Sequence, residues 1–328
     1  MNYLNPPHRR VGVIINNMKK RIFVTGASGC IGHYVVEKLI QNTEDELFLL
    51  VRNPQKLGFD YQSRPGIHII QGDLRELDKF KDLLPTINTV ILIATAWGGY
   101  QEVLEINVKA NLELVKLLNP QVCEQILYFS TASILDRNNN LLPEAGEIGT
   151  DYIRTKYECL QELLKIAPNL PPLRVLFPTL VLGGEQNKPY SHLSGGISDV
   201  VKWMGLIRWF QADASFHFIH SADIAQVVYY LVNHPPISSE TEQFVLGNPA
   251  ITLNQAIEMA CEYYHKRIYF RFNLSAGLAN FFIWLFRIQM ADWDRFCLDY
   301  RHFSYQNPIH PGVYNLPAHC ATFTDVLK

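Results

Sequence analysis

Short apolar runs alternate with amphipathic stretches along the first half of the chain. RIFVT (21–25) ends in a glycine-rich turn and reads as a buried strand. IGHYVVEKLIQ (31–41) then repeats its apolar positions at helical spacing. ELFLLV (46–51), IHIIQ (67–71), TVILIA (89–94), QILYFS (125–130) and LRVLF (173–177) read as further strands. A short helix is expected over 76–84, a long amphipathic one over 102–118, and another from Tyr152 to Ile166. Strands apolar on both faces and separated by helices predict an α/β fold, a doubly wound parallel sheet covered on each side. Ligands of such sheets lie beyond the carboxyl ends of the strands, so residues just after strands are the candidates for chemistry.

Beyond residue 180 the rhythm becomes irregular. GGEQNKPYSHLSGGIS (183–198) reads as loop. SADIAQVVYYLVN (221–233) reads as a helix, EQFVLG (242–247) as a strand, and 252–264 as a helix capped by Thr252. The expected organisation is a cofactor domain over 18–180, joined by segments near 215–250, and a smaller substrate-binding region from 181–214 and 251–328. Residues 1–17 read as a tail or an upstream extension before Met18.

Composition narrows the class. The 328 residues carry a formal charge of −2, which gives no general pull toward nucleic acid. No apolar run reaches the roughly 18 residues of a spanning helix, so no membrane span is expected. Six cysteines lie far apart without a CxxC pair, as in a reduced, cytoplasmic protein. The histidines show no metal spacing, and no metal is expected.

TGASGCIG places Gly26, Gly29 and Gly32 directly after the first strand. The spacing is GxxGxxG, yet the physics matches that of dinucleotide loops: glycines permit close approach to a pyrophosphate, and the next helix aims free N–H groups at it. A tight turn without a ligand is the alternative. Ser28, Cys30 and Ile31 complete this candidate cofactor loop, with Cys30 read as packing. The second strand ends LLVRNPQK, so Arg52 and Lys56 stand where NAD-binding chains place a carboxylate; this favours NADP over NAD. Asp73, followed by Leu74, is placed to meet the adenine or simply to make a turn.

Taken in order, TGASGCIG, GDL (72–74), INVKANLELVKLL (106–118), YFSTASIL (128–135), YIRTK (152–156), LFPTLVLGG and FHFIHSADIA resemble the extended short-chain dehydrogenases/reductases, which include the epimerase/dehydratase group. The likeness runs from about residue 20 to about 250. It implies a Rossmann fold, an NAD(P)-dependent activity and a catalytic triad of Thr131, Tyr152 and Lys156, with Ser130 and Ser133 as fallback hydroxyls. A second tyrosine–lysine pair at the same spacing, Tyr34 and Lys38, lacks a partner hydroxyl in the expected place. Asn107 matches a family asparagine and could bridge backbone, join a proton relay or merely pack. Ala94, Thr95, Ala96 and Trp97 are expected under the nicotinamide ribose, and Phe177, Pro178 and Thr179 beside the nicotinamide.

The triad has a physical logic. A carbonyl accepting hydride needs a proton donor within reach, and the reverse reaction needs a base. A tyrosine serves as base if its pKa falls from about 10 toward neutrality, and a lysine one helical turn away is placed to lower it. Where sugar-nucleotide relatives read RPxNVYGP, this chain has Phe177 for the arginine and Leu180 for the asparagine. Both polar anchors are gone, so the leading expectation is a reductase or dehydrogenase for a moderately apolar small molecule. An epimerase/dehydratase with bound NAD and a non-catalytic NADP-binding sensor or assembly protein are the alternatives. LANFFIWLFRI (278–288) reads as a buried helix, with an apolar cavity wall or a membrane-surface contact as lesser readings. Asp223 is expected to be structural and His220 a satisfied core histidine. Family habit makes a homodimer through the 102–118 helix and the helix after Tyr152 plausible.

Overall fold

The computed structural model describes residues 19–285, 287 and 289–327. The proposed tail over 1–17 lies outside them, as do Phe286 and Ile288 of the aromatic run. Seven strands form one parallel sheet: β1 (Arg21–Thr25), β2 (Glu46–Val51), β3 (Ile67–Gln71), β4 (Thr89–Leu92), β5 (Gln125–Phe129), β6 (Leu173–Pro178) and β11 (Glu242–Leu246). Their order is β11-β6-β5-β4-β1-β2-β3. The connection from β1 runs outward to β2, while β4 returns to its other side. That reversal opens the crevice at the carboxyl ends of β1 and β4.

The central strands are apolar throughout because both faces are covered; β4, β5 and β6 are buried at every residue. On one face Val35, Val36 and Leu39 of α1 (Cys30–Asn42) pack with Ile224 and Val228 of α7 (Ser221–Asn233). On the other, Leu114 and Val115 of α3 (Asn111–Lys116) and Leu160 and Leu163 of α5 (Asp151–Ile166) cover Tyr128 and Val175. α2 (Tyr100–Leu104) and α4 (Pro143–Glu147) are short companions of α5.

The expected 102–118 helix is interrupted. α2 passes into a π-helical turn, Glu105–Ala110, before α3. The amide of Asn111 donates to the carbonyls of Ile106 and Asn107, holding the widened turn. Such π turns concentrate at functional sites, and this one carries Asn107. The expected helix over 76–84 is two 3₁₀ turns, Leu77–Lys79 and Leu84–Thr86. The stretch read as loop over 183–198 ends early, because the Ser191 side chain accepts from Ser194 N–H and starts α6 (His192–Ile207).

Smaller pieces complete the chain. β7 (Leu180–Leu182) pairs with β10 (Phe218–His220), β9 (Ser215–Phe216) with β12 (Ile251–Thr252) and β14 (His302–Phe303), and β8 (Phe210–Gln211) with β13 (Phe272–Asn273). α8 (Leu253–Tyr263) opens with the capping box of Thr252 and Gln255. α9 (Ala276–Leu285) and α10 (Asp292–Tyr300) follow. The expectation of a buried helix at α9 fails: Phe281, Trp284 and Leu285 are 49%, 73% and 50% exposed.

Candidate active site

The glycine turn sits at the switch point. Gly26 has φ +76°, and a side chain there would meet the Ala94 backbone at 2.6 Å. A Cβ on Gly32 would lie 2.1 Å from the Gly26 carbonyl oxygen. The fold itself therefore demands both. Gly29 is different: it has an ordinary φ of −86°, is exposed, and its nearest neighbour would be 3.4 Å away. Its missing side chain leaves an open cradle at the start of α1, whose first turn has neither a side-chain cap nor an acidic residue. Free N–H groups facing an open turn suit the phosphates of a dinucleotide. Ser28 and Ile31 are half-buried on this turn. Cys30 packs behind it, its thiol 3.3 Å from the Ser221 hydroxyl and its pKa raised by burial.

Thr131, Tyr152 and Lys156 converge between the ends of β5 and α5. Thr150 starts α5 by accepting from Ile153 N–H, which places Tyr152 in the first turn and Lys156 one turn on. Lys156 is almost fully buried and its ammonium donates to the Phe129 carbonyl at 2.7 Å, at the last residue of β5. Burial pushes its pKa down to about 8. Thr131 follows two residues later; its hydroxyl accepts from Ser133 N–H at 3.3 Å. Burial pushes the Tyr152 phenol up to about 12, and hydrogen bonding from Thr131 pulls the smaller way. The expected lowering of the phenol by Lys156 is thus not what this arrangement gives: desolvation raises the phenol, and the ammonium is turned to a backbone carbonyl. The Ser130 hydroxyl is buried beside them without a partner among the described residues.

Asn107 joins these groups to the loop after β4. Its Oδ1 accepts from Thr95 Oγ1 and Ala96 N–H at 3.1 and 2.9 Å, and its amide donates to the Ala96 carbonyl and Thr155 Oγ1. Of the roles open to it, these bonds make a backbone bridge; none of them reaches Tyr152 or Lys156. Ala94 is fixed by donating to Thr25 Oγ1 at 3.2 Å. The loop ends in Trp97, whose ring stacks on Tyr152 at 3.9 Å and also meets His192 of α6 at 4.6 Å.

The remaining candidates spread around the crevice. Arg52 is exposed after β2, with a loose 3.9 Å ion pair to Glu102, and Lys56 is exposed on the following turn. Asp73 is clamped by Arg75 through bonds of 2.8 and 2.9 Å, which hold its carboxyl below the usual range; Leu74 is buried. Phe177 is 1% exposed and belongs to the core, so its side chain presents no surface to the crevice. Thr179 donates to the Leu246 carbonyl, and Leu180 is exposed.

The model of the NAD-dependent epimerase/dehydratase family matches residues 22–247. The chain belongs to that family, a family of enzymes. No curated protein matches it. Among solved structures it is similar to gox2253, with 19% identity, 94% of this chain and 97% of that one covered, and a TM-score of 0.68. A Bordetella bronchiseptica enzyme, WbmG, in complex with NAD matches at 15% identity, 80% and 84% coverage and TM-score 0.59. A UDP-N-acetylglucosamine 4-epimerase from Methanobrevibacter ruminantium M1 matches at 18%, 86% and 96%, and 0.59. At these identities the likeness is one of fold.

The second tyrosine–lysine pair of this epimerase/dehydratase-family chain is structural. The Tyr34 hydroxyl donates to Glu185, burial raises its pKa, and Lys38 lies over the Tyr229 ring. Asp223 is structural too: its carboxylate accepts from the backbone of His319 and Cys320. Sequence reasoning missed the Trp97–His192 pair, since nothing in the chain announces a contact between residues 95 positions apart. It also missed that His220, His319 and Cys320 bring their ligand atoms within 4.8 Å of one another. His220 Nδ1 already accepts from Ala222 N–H at 3.1 Å, so the neutral ring turns an N–H, not a lone pair, outward at Nε2.

Proposed function

We propose that this chain is an NAD(P)-dependent oxidoreductase, with NADP preferred, that moves hydride to or from a carbonyl or secondary alcohol of a moderately apolar small molecule. What supports it is that Thr131, Tyr152 and Lys156 follow β5 at the same carboxyl edge of the parallel sheet as the open glycine turn after β1. A bound dinucleotide would rest its phosphates on Gly29 and the start of α1 and supply the hydride. The chain's own residues do the rest. Thr131 and Tyr152 hold the substrate oxygen. The phenol, with a pKa near 12, is protonated across the physiological range and gives its proton to the oxygen as negative charge develops there. Lys156, buried and anchored on Phe129, fixes α5 against β5.

Exposed Arg52 and Lys56 support a 2′-phosphate at the end of β2. Exposed Trp97, Tyr190 and Leu193 around the crevice support an apolar substrate, held by the region 181–214 and 251–328. We include in this reading a homodimer through α3 and α5 and a cytoplasmic location, supported by the absence of any disulfide among the six cysteines. Among the described residues no helix is long and apolar enough to cross a membrane. The testing experiment is mass spectrometry of the ligand carried by the native protein, followed by a carbonyl screen with NADPH. Consumption of NADPH by apolar carbonyls is expected. Tightly held NAD that cycles on a nucleotide sugar without net consumption would overturn the reading in favour of an epimerase.

A further inference from the structure

We propose that the face formed by the end of α6, the β8–β13 ribbon and α9 docks on the surface of an anionic lipid bilayer. This goes beyond the oxidoreductase reading and does not depend on it. Trp203, Leu206, Tyr269, Phe270, Phe281 and Trp284 are 63%, 52%, 71%, 55%, 49% and 73% exposed. Two ring clusters carry this exposure: Tyr269 and Phe270 stack on Trp209, and Phe281 meets Trp284 at 6.1 Å within α9. Trp209, just after α6, stacks on Phe270 at 4.7 Å, and Phe270 meets Phe272 at 5.3 Å. Leu274 N–H donates to the Gln211 carbonyl, tying the segment that enters α9 to β8. Soluble monomers rarely leave so many large apolar side chains together in water. Tryptophan and tyrosine suit the headgroup boundary of a membrane, where an apolar ring and a polar edge are both satisfied.

Charge selects the partner. Between Glu262 and Asp292 the chain has Lys266, Arg267, Arg271 and Arg287 and no carboxylate. Arg271 is paired with Glu258. Arg267 and Arg287 are exposed, and Arg208 at the end of α6 lies 4.4 Å over the Trp209 ring while donating to the Arg267 carbonyl. A second copy docked symmetrically on this face would set these cations against themselves. Anionic headgroups neutralise them while the aromatics enter the acyl boundary. α9 has 10 residues, about 15 Å of helix, enough to lie on a bilayer and too short to cross it.

The full chain should sediment with phosphatidylcholine vesicles containing phosphatidylglycerol, and much less with phosphatidylcholine alone. The difference should shrink as salt rises. The double variant Trp203→Ser/Trp284→Ser should lower partitioning by about tenfold or more. Arg267→Glu/Arg287→Glu should remove the preference for anionic vesicles. The circular dichroism spectrum and thermal midpoint, measured alongside, should match wild type in both and show that each variant is folded. Failure of the wild-type chain to bind anionic vesicles would overturn the proposal, as would variants that bind like wild type. A dimer that the tryptophan substitutions split, with no vesicle binding by either form, would reassign the face to protein contact.

Discussion

The Trp97 indole lies almost flat on the Tyr152 ring, their centroids 3.9 Å apart and their planes 18° from parallel. His192 leans on the indole from α6, so the aromatic cover ties the β4 loop to the C-terminal region. An aromatic stack contributes about 0.5–1.5 kcal/mol beyond its area. Trp97→Ala should therefore raise KM for an apolar carbonyl by roughly threefold to tenfold. NADPH affinity should change little. Steady-state kinetics with both substrates varied checks this; equal losses for cofactor and carbonyl would place the indole elsewhere in the mechanism.

Lys156 costs the fold stability. Its folded pKa of about 8 lies below the 10.5 of an ordinary lysine, so between those values the unfolded chain holds the extra proton and stability rises with pH. Lys156→Met should abolish turnover yet be more stable than wild type by roughly 1–3 kcal/mol at neutral pH. The gap should be constant below about pH 8 and close as pH rises toward 10.5. Denaturant titrations across that range measure it. A variant less stable than wild type at pH 7 would mean that the bond to Phe129 outweighs desolvation.

The glycines of the turn should separate into two kinds. Gly26→Ala meets backbone at 2.6 Å and a φ of +76°, and should destabilise the fold by about 2 kcal/mol or more. Gly29→Ala meets nothing closer than 3.4 Å and should leave the unfolding midpoint within about 0.5 kcal/mol of wild type. Its NADPH affinity should nevertheless fall, as titration calorimetry would show. Unchanged affinity would remove Gly29 from the phosphate site.

Arg52 is exposed and, among the described residues, its ion pair with Glu102 is a loose 3.9 Å, so it is open to a 2′-phosphate. A charge-assisted contact to phosphate is worth about 1.5–3 kcal/mol. Arg52→Ala should weaken NADPH binding by roughly tenfold to a hundredfold while leaving NADH near its wild-type value. Parallel losses for the two cofactors would refute a 2′-phosphate role.

Much of the cofactor half was legible in the sequence because its signals are local. β1, the glycine turn and α1 follow one another, and the i, i+4 spacing of Tyr152 and Lys156 needs only a helix. Helix 221–233 and the Thr252 cap were legible for the same reason. What was hidden depends on tertiary neighbours. The π turn is held by the Asn111 amide on the Ile106 and Asn107 carbonyls and carries Asn107 to Thr95 and Ala96. The pKa shifts of Tyr152 and Lys156 run against expectation because both groups are desolvated by burial, which spacing does not reveal. Hydrophobicity at α9 was read as burial, yet Phe281 and Trp284 face outward. An apolar stretch reports a preference for leaving water, not the partner that covers it.

The most direct test of the account is Tyr152→Phe, with NADPH affinity and single-turnover NADPH oxidation measured on the same preparation against a carbonyl that the wild-type enzyme reduces. The phenol is assigned the proton transfer and no part in holding the dinucleotide. Affinity should stay within about threefold of wild type while the rate falls by a factor of about 10²–10⁴. A rate that survives the substitution, or an affinity lost together with it, would contradict that assignment.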